Sequence, residues 1–343
     1  MAAGCLSSTP CMPAAIREAP GQGSPLCLSR QQSRFRWCTD GIPLDPVLHA
    51  HHLRVREVPM SYPASLRVTI LGCGSSGGVP RVGQGWGACD PREPRNRRLR
   101  CSILVERLTV GGTTRVLVDT SPDLRQQLLA ADVGALDGVL FTHAHADHTH
   151  GIDDLRPLAI EHRRRIDIYA DDDTLGALHK RFGYCFQTPP GSGYPPILNA
   201  HRLEDGREIV IDGPGGAIVA LPFRQHHGEI DSFGFRFEGV AYSSDVNGLP
   251  ESSMSRLRHL DVWIVDALRE HPHPSHFTVA EALSHIQALT PRRAILTDLH
   301  TDLDYRTLAG VLPEGVVPAF DGLTFTVPAG RQNRLAVEQG ETP

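Results

Sequence analysis

The sequence has no CxxC or CxC pair, no apolar run of bilayer length and no strong net charge. Each absence removes a class of protein. The 8 cysteines, Cys5, Cys11, Cys27, Cys38, Cys73, Cys89, Cys101 and Cys185, are scattered along the chain. That usage points to reduced thiols and a cytoplasmic location rather than a disulfide framework. Without a stretch of about 20 apolar residues, nothing calls for a membrane. A formal charge of −5 favours neither nucleic acid nor a strongly acidic partner. No continuous apolar segment follows the first residues, so no secretory leader is read. There is no internal repeat at a fixed short period. A length of 343 residues allows one large domain or two smaller ones.

Residues 1–60 are rich in Pro, Ser, Gln and small residues and carry no sustained period of 2 or 3.6. Such composition cannot bury enough apolar surface to offset chain entropy. They are expected to be a disordered extension, or a mis-called start with Met60 as the true first residue. From Leu66 the pattern changes. Leu66–Leu71 alternates as a strand, and Gly72-Cys73-Gly74-Ser75-Ser76-Gly77-Gly78 follows as a sharp loop without the ending of a P-loop. Arg92, Arg95, Arg97, Arg98 and Arg100 form a basic loop, read either as solvated or as a phosphate contact. A hairpin is expected around Gly111-Gly112. A helix is expected over 122–131, with Ser121 as cap and Pro122 at its first position.

Further strands are expected at 166–169, 208–212, 217–223, 233–238, 240–243, 262–266, 293–297 and 323–327. Further helices are expected at 174–182, 251–259, 278–289 and 304–311. Thr278-Val279-Ala280-Glu281 reads as a capping box. Residues 185–200, rich in Pro and Gly, read as a long loop, and 331–343 as a disordered tail. Two runs of hairpins with interleaved helices imply two sheets covered by helices.

The most informative stretch is Phe141-Thr142-His143-Ala144-His145-Ala146-Asp147-His148-Thr149-His150-Gly151. It follows a short apolar run, Gly138–Phe141, that reads as a buried strand. In extended chain, residues two apart point the same way, so His143 and His145 can hold one ion together. Asp147 and His148 suit a second ion nearby. Imidazole with carboxylate favours zinc, manganese or iron over magnesium or calcium. His226 and His227, Asp245 and His300 each lie at or just past the end of an expected strand, in an order that can complete such a site.

His143-x-His145-x-Asp147-His148 resembles the HxHxDH signature of the metallo-β-lactamase superfamily. From about Leu66 to Val327 the chain looks most like its phosphodiesterase branch, the phosphoribosyl cyclic phosphodiesterases of carbon–phosphorus lyase systems. The likeness rests on the glycine loop, on His148–Arg156, on His227-Gly228, on Tyr242-Ser243-Ser244-Asp245 and on Leu299–Tyr305. It implies an α+β fold, an αββα four-layer sandwich of two mixed sheets flanked by helices, over residues 61–330. It also implies two divalent metal ions (Zn or Mn, or Fe). His143, His145 and His227 would hold the first and Asp147, His148 and His300 the second, with Asp245 bridging. His226 is the alternative to His227, which is preferred for the glycine after it. Asp298 is the alternative to His300, because the phosphodiesterase ligand directly follows the Leu-Thr pair. The cysteine cluster of that enzyme's structural zinc has no counterpart here.

The reaction so implied is phosphodiester cleavage. A metal-bridging hydroxide would attack phosphorus in line, with Asp147 among the catalytic residues and His276 serving the leaving oxygen. The substrate class so implied is a small phosphodiester, cyclic ones included, or a nucleotide. A homodimer is compatible with the sequence, and a nucleic-acid substrate is less favoured. Hydrolysis of a lactone, thioester or β-lactam on the same scaffold, or an RNase Z-like nuclease, are the competing readings.

Overall fold

The computed structural model describes residues 64–330, so the expectations for 1–60 and 331–343 lie outside the described residues. Two sheets are laid down one after the other along the chain. The first takes β1 (Ser65–Gly72), β2 (Ser102–Thr109), β3 (Gly112–Val118), β4 (Gly138–Leu140), β5 (Ile166–Ala170) and β6 (Leu198–Arg202). The second takes β7 (Ile209–Ile211), β8 (Ile218–His227), β9 (Ile230–Phe237), β10 (Val240–Ser243), β11 (Val262–Asp266), β12 (Arg293–Thr297) and β13 (Val316–Pro318). The last strand, β14 (Thr324–Pro328), returns to the first sheet beside β1, giving two seven-stranded sheets, β14-β1-β2-β3-β4-β5-β6 and β13-β12-β11-β10-β9-β8-β7.

Both sheets are mixed, and each has an antiparallel half and a parallel half. β1, β2 and β3 pair antiparallel, whereas β3 through β6 run parallel. β7 through β10 pair antiparallel, and β10 through β13 run parallel. Parallel neighbours need crossovers, usually helical. α1 (Leu124–Ala130), α2 (Ala146–Thr149), α3 (Arg156–Glu161) and α4 (Asp172–Phe186) serve the first sheet. α5 (Glu251–Arg256), α6 (Val279–Leu289) and α7 (Tyr305–Val311) serve the second.

Strand alternation divides the apolar residues among three cores. Leu66, Val68, Ile70, Ile103, Val105, Val116 and Val118 turn inward to meet Phe233, Phe235, Phe237, Tyr242 and Ile264 of the other sheet. The opposite face of the first sheet, with Leu104, Leu117 and Val139, packs on Leu124, Leu128, Leu155 and Leu178 from the helices. The opposite face of the second, with Trp263, Val265 and Leu296, packs on Val279, Ala282 and Leu308. The result is the four-layer α+β sandwich that the resemblance implies. Each fully buried large apolar side chain contributes about 1.5–3 kcal/mol relative to exposure. No helix among the described residues is long and apolar enough to cross a membrane.

Several boundaries differ from the sequence reading. The first crossover helix starts at Leu124, with Asp123 at the cap position. Ser121 Oγ instead accepts from the Asp123 amide and donates to Gln127, making a turn rather than a cap. The helix α4 runs on to Phe186 and β6 begins at Leu198, which shortens the expected 185–200 loop. β6 and β13 carry too short an apolar pattern to be read in isolation. The capping box at Thr278 and Glu281 is present.

Candidate metal centre

The polar residues collect where the parallel strands of both sheets end. Open parallel sheets bind ligands there, outside the carboxyl ends of the strands. Asp119 follows β3, His143 follows β4, Asp245 follows β10, Asp266 ends β11 and Asp298 follows β12. Asp119, Asp245 and Asp298 all have positive φ, 65°, 50° and 61°. Asp tolerates the left-handed region better than most residues, and such strain gathers at functional sites.

The structure brings six of the seven expected ligands into one cluster. His143, His145, His227 and Asp245 form one group of converging ligand atoms, and Asp147, His148 and Asp245 form another. A third group joins Asp245 to His276 and Asp298. Asp245 is common to all three. Its Oδ2 lies 3.8 Å from His143 Nε2 and 3.6 Å from His227 Nε2, while its Oδ1 lies 3.0 Å from His148 Nε2. Asp147 and His148 sit in the short helical turn α2, which lets neighbours in sequence face the same carboxylate; Asp147 Oδ2 is 3.5 Å from His148 Nε2.

The imidazoles are oriented from behind, as metal-binding histidines generally are. His148 Nδ1 donates to the fully buried Asp119 carboxylate at 2.8 Å. The same carboxylate accepts from the Thr142 amide and hydroxyl, both at 2.8 Å. Thr142 Oγ in turn lies 3.0 Å from His143 Nδ1 and can accept its proton. His227 Nδ1 donates to the Ser275 carbonyl at 2.7 Å. These bonds leave the Nε2 atoms of His143, His148 and His227 turned to the centre. Strand alternation separates the two candidate histidines of β8: the side chain of His227 is 3% exposed and that of His226, against Asp231, 55%.

Charge and burial define what the cluster lacks. Burial, with the nearby His148, pushes His143 well below its ordinary pKa, so it is a neutral donor. Burial works against protonation of His148, but the carboxylates of Asp245, Asp147 and Asp119 outweigh it and hold this imidazole well above its ordinary value. Burial likewise opposes ionisation of Asp245, yet His148, His276 and His143 outweigh it and keep that carboxyl well below its usual range. His143 Nε2 is buried with no hydrogen-bond partner. Unpartnered buried polar atoms are costly and call for a bound group. A divalent cation supplies both the missing partner and the missing positive charge, so this donor set fits one.

His300 does not have the surroundings expected of it, and His276 lies nearer the ligands. His300, expected as a ligand of the second ion, is in none of the groups. Its Nε2 lies 2.8 Å from Arg81 Nη1 and its Nδ1 3.1 Å from Asp302. Asp298, the alternative, takes the inward position because it is the residue immediately past β12. His276 Nδ1 is 2.7 Å from Asp266 and 2.9 Å from Asp298, and its Nε2 is 3.8 Å from Asp245 Oδ2. Burial opposes its protonation, but Asp266 and Asp298 outweigh that and hold it far above the ordinary histidine range.

Asp119, Thr142 and Asp266 were not singled out from sequence. Their only signal was position, at or just past a strand's carboxyl end. The basic loop is divided, with Arg92 and Arg97 exposed and the other three arginines engaged by the protein. Arg98 is buried and donates to the carbonyls of Leu303 and His300, Arg95 pairs with Glu93, and Arg100 pairs with Asp123.

Residues 114–298, more than half of the chain, match the family described as the β-lactamase superfamily domain. The crystal structure of a diphosphatase from the PhnP family shares 34% identity at a TM-score of 0.69, over 77% of this chain and 97% of that one. An octanoyltransferase of Porphyromonas gingivalis is 31% identical over 75% of this chain and 51% of its own length. A ribonuclease Z of Bradyrhizobium diazoefficiens is 32% identical over 43% of this chain and 47% of its own length. The chain thus spans about half the length of these curated relatives. It belongs to the β-lactamase superfamily and shares the fold of that diphosphatase.

Proposed function

We propose that the chain is a dinuclear metal-dependent phosphodiesterase acting on small phosphodiesters or nucleotides. The observation that carries this reading is the sharing of Asp245 between two separate groups of ligand atoms. His143, His145 and His227 would hold one ion and Asp147 and His148 the other, with Asp245 between them, while Asp298 rather than His300 joins Asp245 and His276 in the adjoining group. Similarity to a diphosphatase of the PhnP family supports the choice of a phosphorus-centred substrate. Divalent ions at such a site activate water at neutral pH and neutralise charge on phosphoryl oxygens.

The chain's own residues do the rest. Asp119 and Thr142 fix the tautomers and aim of His148 and His143. Asp266 orients His276 so that its Nε2 faces the centre, where it can donate a proton or a hydrogen bond to a leaving oxygen. The bonds Phe277 N to Val246 O and Asn247 Nδ2 to Pro274 O, each 2.7 Å, hold the loop that carries it.

The test has two parts. Elemental analysis of protein purified without chelator should find about two equivalents of zinc, manganese or iron per chain. Bis(p-nitrophenyl) phosphate should be turned over in preference to lactone, thioester and β-lactam probes. Less than one equivalent after reconstitution, or a preference for a carbon-centred ester, would sink the reading.

A further inference from the structure

Beside the metal centre, on the side of His276, lies a small cavity of about 90 Å³. Ser75, Ser76, Arg81, Arg269, His273 and His300 line it together with His276. Among the described residues neither arginine has a carboxylate partner. Arg269 is held by main-chain carbonyls only, from His271 at 3.1 Å and Pro272 at 2.9 Å. Arg81 is held by His300. Asp302 stands at His300 Nδ1, so that nitrogen carries the proton and Nε2 is left to accept from Arg81. The glycine loop makes room for this arginine: a Cβ on Gly77 would come within 2.4 Å of Arg81 Nε. Ser75 is 3% exposed and its hydroxyl has no hydrogen-bond partner. Two uncompensated guanidinium groups and an unpartnered buried hydroxyl thus converge on one cavity that shares His276 with the metal site.

We propose that this cavity is an anion subsite for a second, non-scissile phosphate of the substrate, and that His300 is the positioning residue that holds Arg81 over it. Guanidinium matches phosphate geometry and stays charged at every working pH. The inference deepens the phosphodiesterase reading and rests on it for the position of the scissile bond. Substrates carrying a phosphate besides the one being cleaved would be preferred over those with only one.

The test compares binding of adenosine 3′,5′-bisphosphate and adenosine 5′-monophosphate to the metal-loaded full chain by calorimetry. Wild type should favour the bisphosphate by about ten- to a hundredfold, the worth of one or two charge-assisted hydrogen bonds. Arg81→Gln should abolish most of that preference at unchanged metal content. Gly77→Ala, which displaces Arg81 without removing its charge, should reduce it too. His300→Ala should weaken the preference and keep the metal, and His300→Gln, which retains an acceptor for Arg81, should restore part of it. Equal binding of the two nucleotides by wild type, or a preference that survives Arg81→Gln, overturns the subsite. Metal loss in His300→Ala overturns the positioning role and returns this residue to the ligands. If the Arg81-dependent preference is present while metal-loaded wild type leaves bis(p-nitrophenyl) phosphate intact, the subsite stands and the phosphodiesterase reading falls.

Discussion

The two halves of the molecule build the same kind of structure and supply the site in opposite ways. Each half ends in a parallel run of strands, β3 to β6 in the first sheet and β10 to β13 in the second. The first half places His143, His145, Asp147 and His148 on one continuous stretch after β4. The second half gives one residue per strand end: His227, Asp245, Asp266 and Asp298, with His276 on a connecting loop. A contiguous stretch keeps its geometry wherever the chain goes. Residues contributed one at a time converge only if every strand register is right. The first half therefore carries the recognisable chemistry, and the second carries the alignment that turns it into a site.

The largest expected effect falls on the residue that joins the halves. Asp245→Ala should take the metal content below one equivalent. It should lower turnover of bis(p-nitrophenyl) phosphate by more than the 10–100-fold typical of an outer partner. His145→Ala should remove only part of the metal. If both variants lose the same amount, Asp245 does not bridge and the halves hold their ions separately. Next in size is His276→Ala. It should keep both metals while turnover falls by about 10²–10⁴-fold. The loss should be greater for a poor leaving group than for p-nitrophenolate. Metal loss in this variant would make His276 a ligand.

Two smaller effects test the supports in each half. Asp119→Asn should weaken metal affinity by about 10–100-fold, because His148 and Thr142 both depend on that carboxylate. Equilibrium dialysis against a competing chelator measures it, and unchanged affinity would show that the loop after β4 is rigid without Asp119. In the second half, Asp298→Ala should cost more metal than His300→Ala. The opposite order would restore the ligand set expected from the sequence.

The same contrast explains what could be read in advance. Most strands and the main crossover helices were legible, because each sheet is buried on both faces and its apolar runs are long enough to show. The first-half ligands were legible because spacing alone defines them. His227 was separable from His226 only by the glycine after it, until alternation along β8 put one inward and one outward. The different placement of His300 has a physical origin. Asp298 and His300 are two residues apart, and a strand end at 297 does not by itself say which of them turns inward. The strand ends at Thr297 and Asp298 turns back with φ 61°, so the nearer residue points into the centre. Asp119 and Asp266 were missed because they touch other side chains rather than form a motif, and such contacts are long-range. Asp119 reaches His148, 29 residues on.

The smallest effect asks what fixes the loop of His276 in the second half. Two candidates are in contact with it: the strand side, through Asp266 and Val246, and the start of α6, through the capping box. Glu281→Ala removes the carboxylate that accepts from the Thr278 amide and hydroxyl, each at 2.8 Å, but leaves Thr278 Oγ accepting from the residue 281 amide. Losing half of a capping box should cost about 0.5–1 kcal/mol. For a domain of this size that is a fall of about 1–4 °C in melting temperature. The strand-side bonds are untouched: His276 Nδ1 to Asp266 at 2.7 Å, Phe277 N to Val246 O at 2.7 Å, and Leu268 N to Phe277 O at 2.9 Å. Metal content and turnover should therefore stay at wild-type values while the melting temperature drops. A parallel fall in turnover would mean that the helix, not the strand ends, sets the aim of His276. The second half would then hold its catalytic group by a crossover, as the first half holds His148 by the turn of α2.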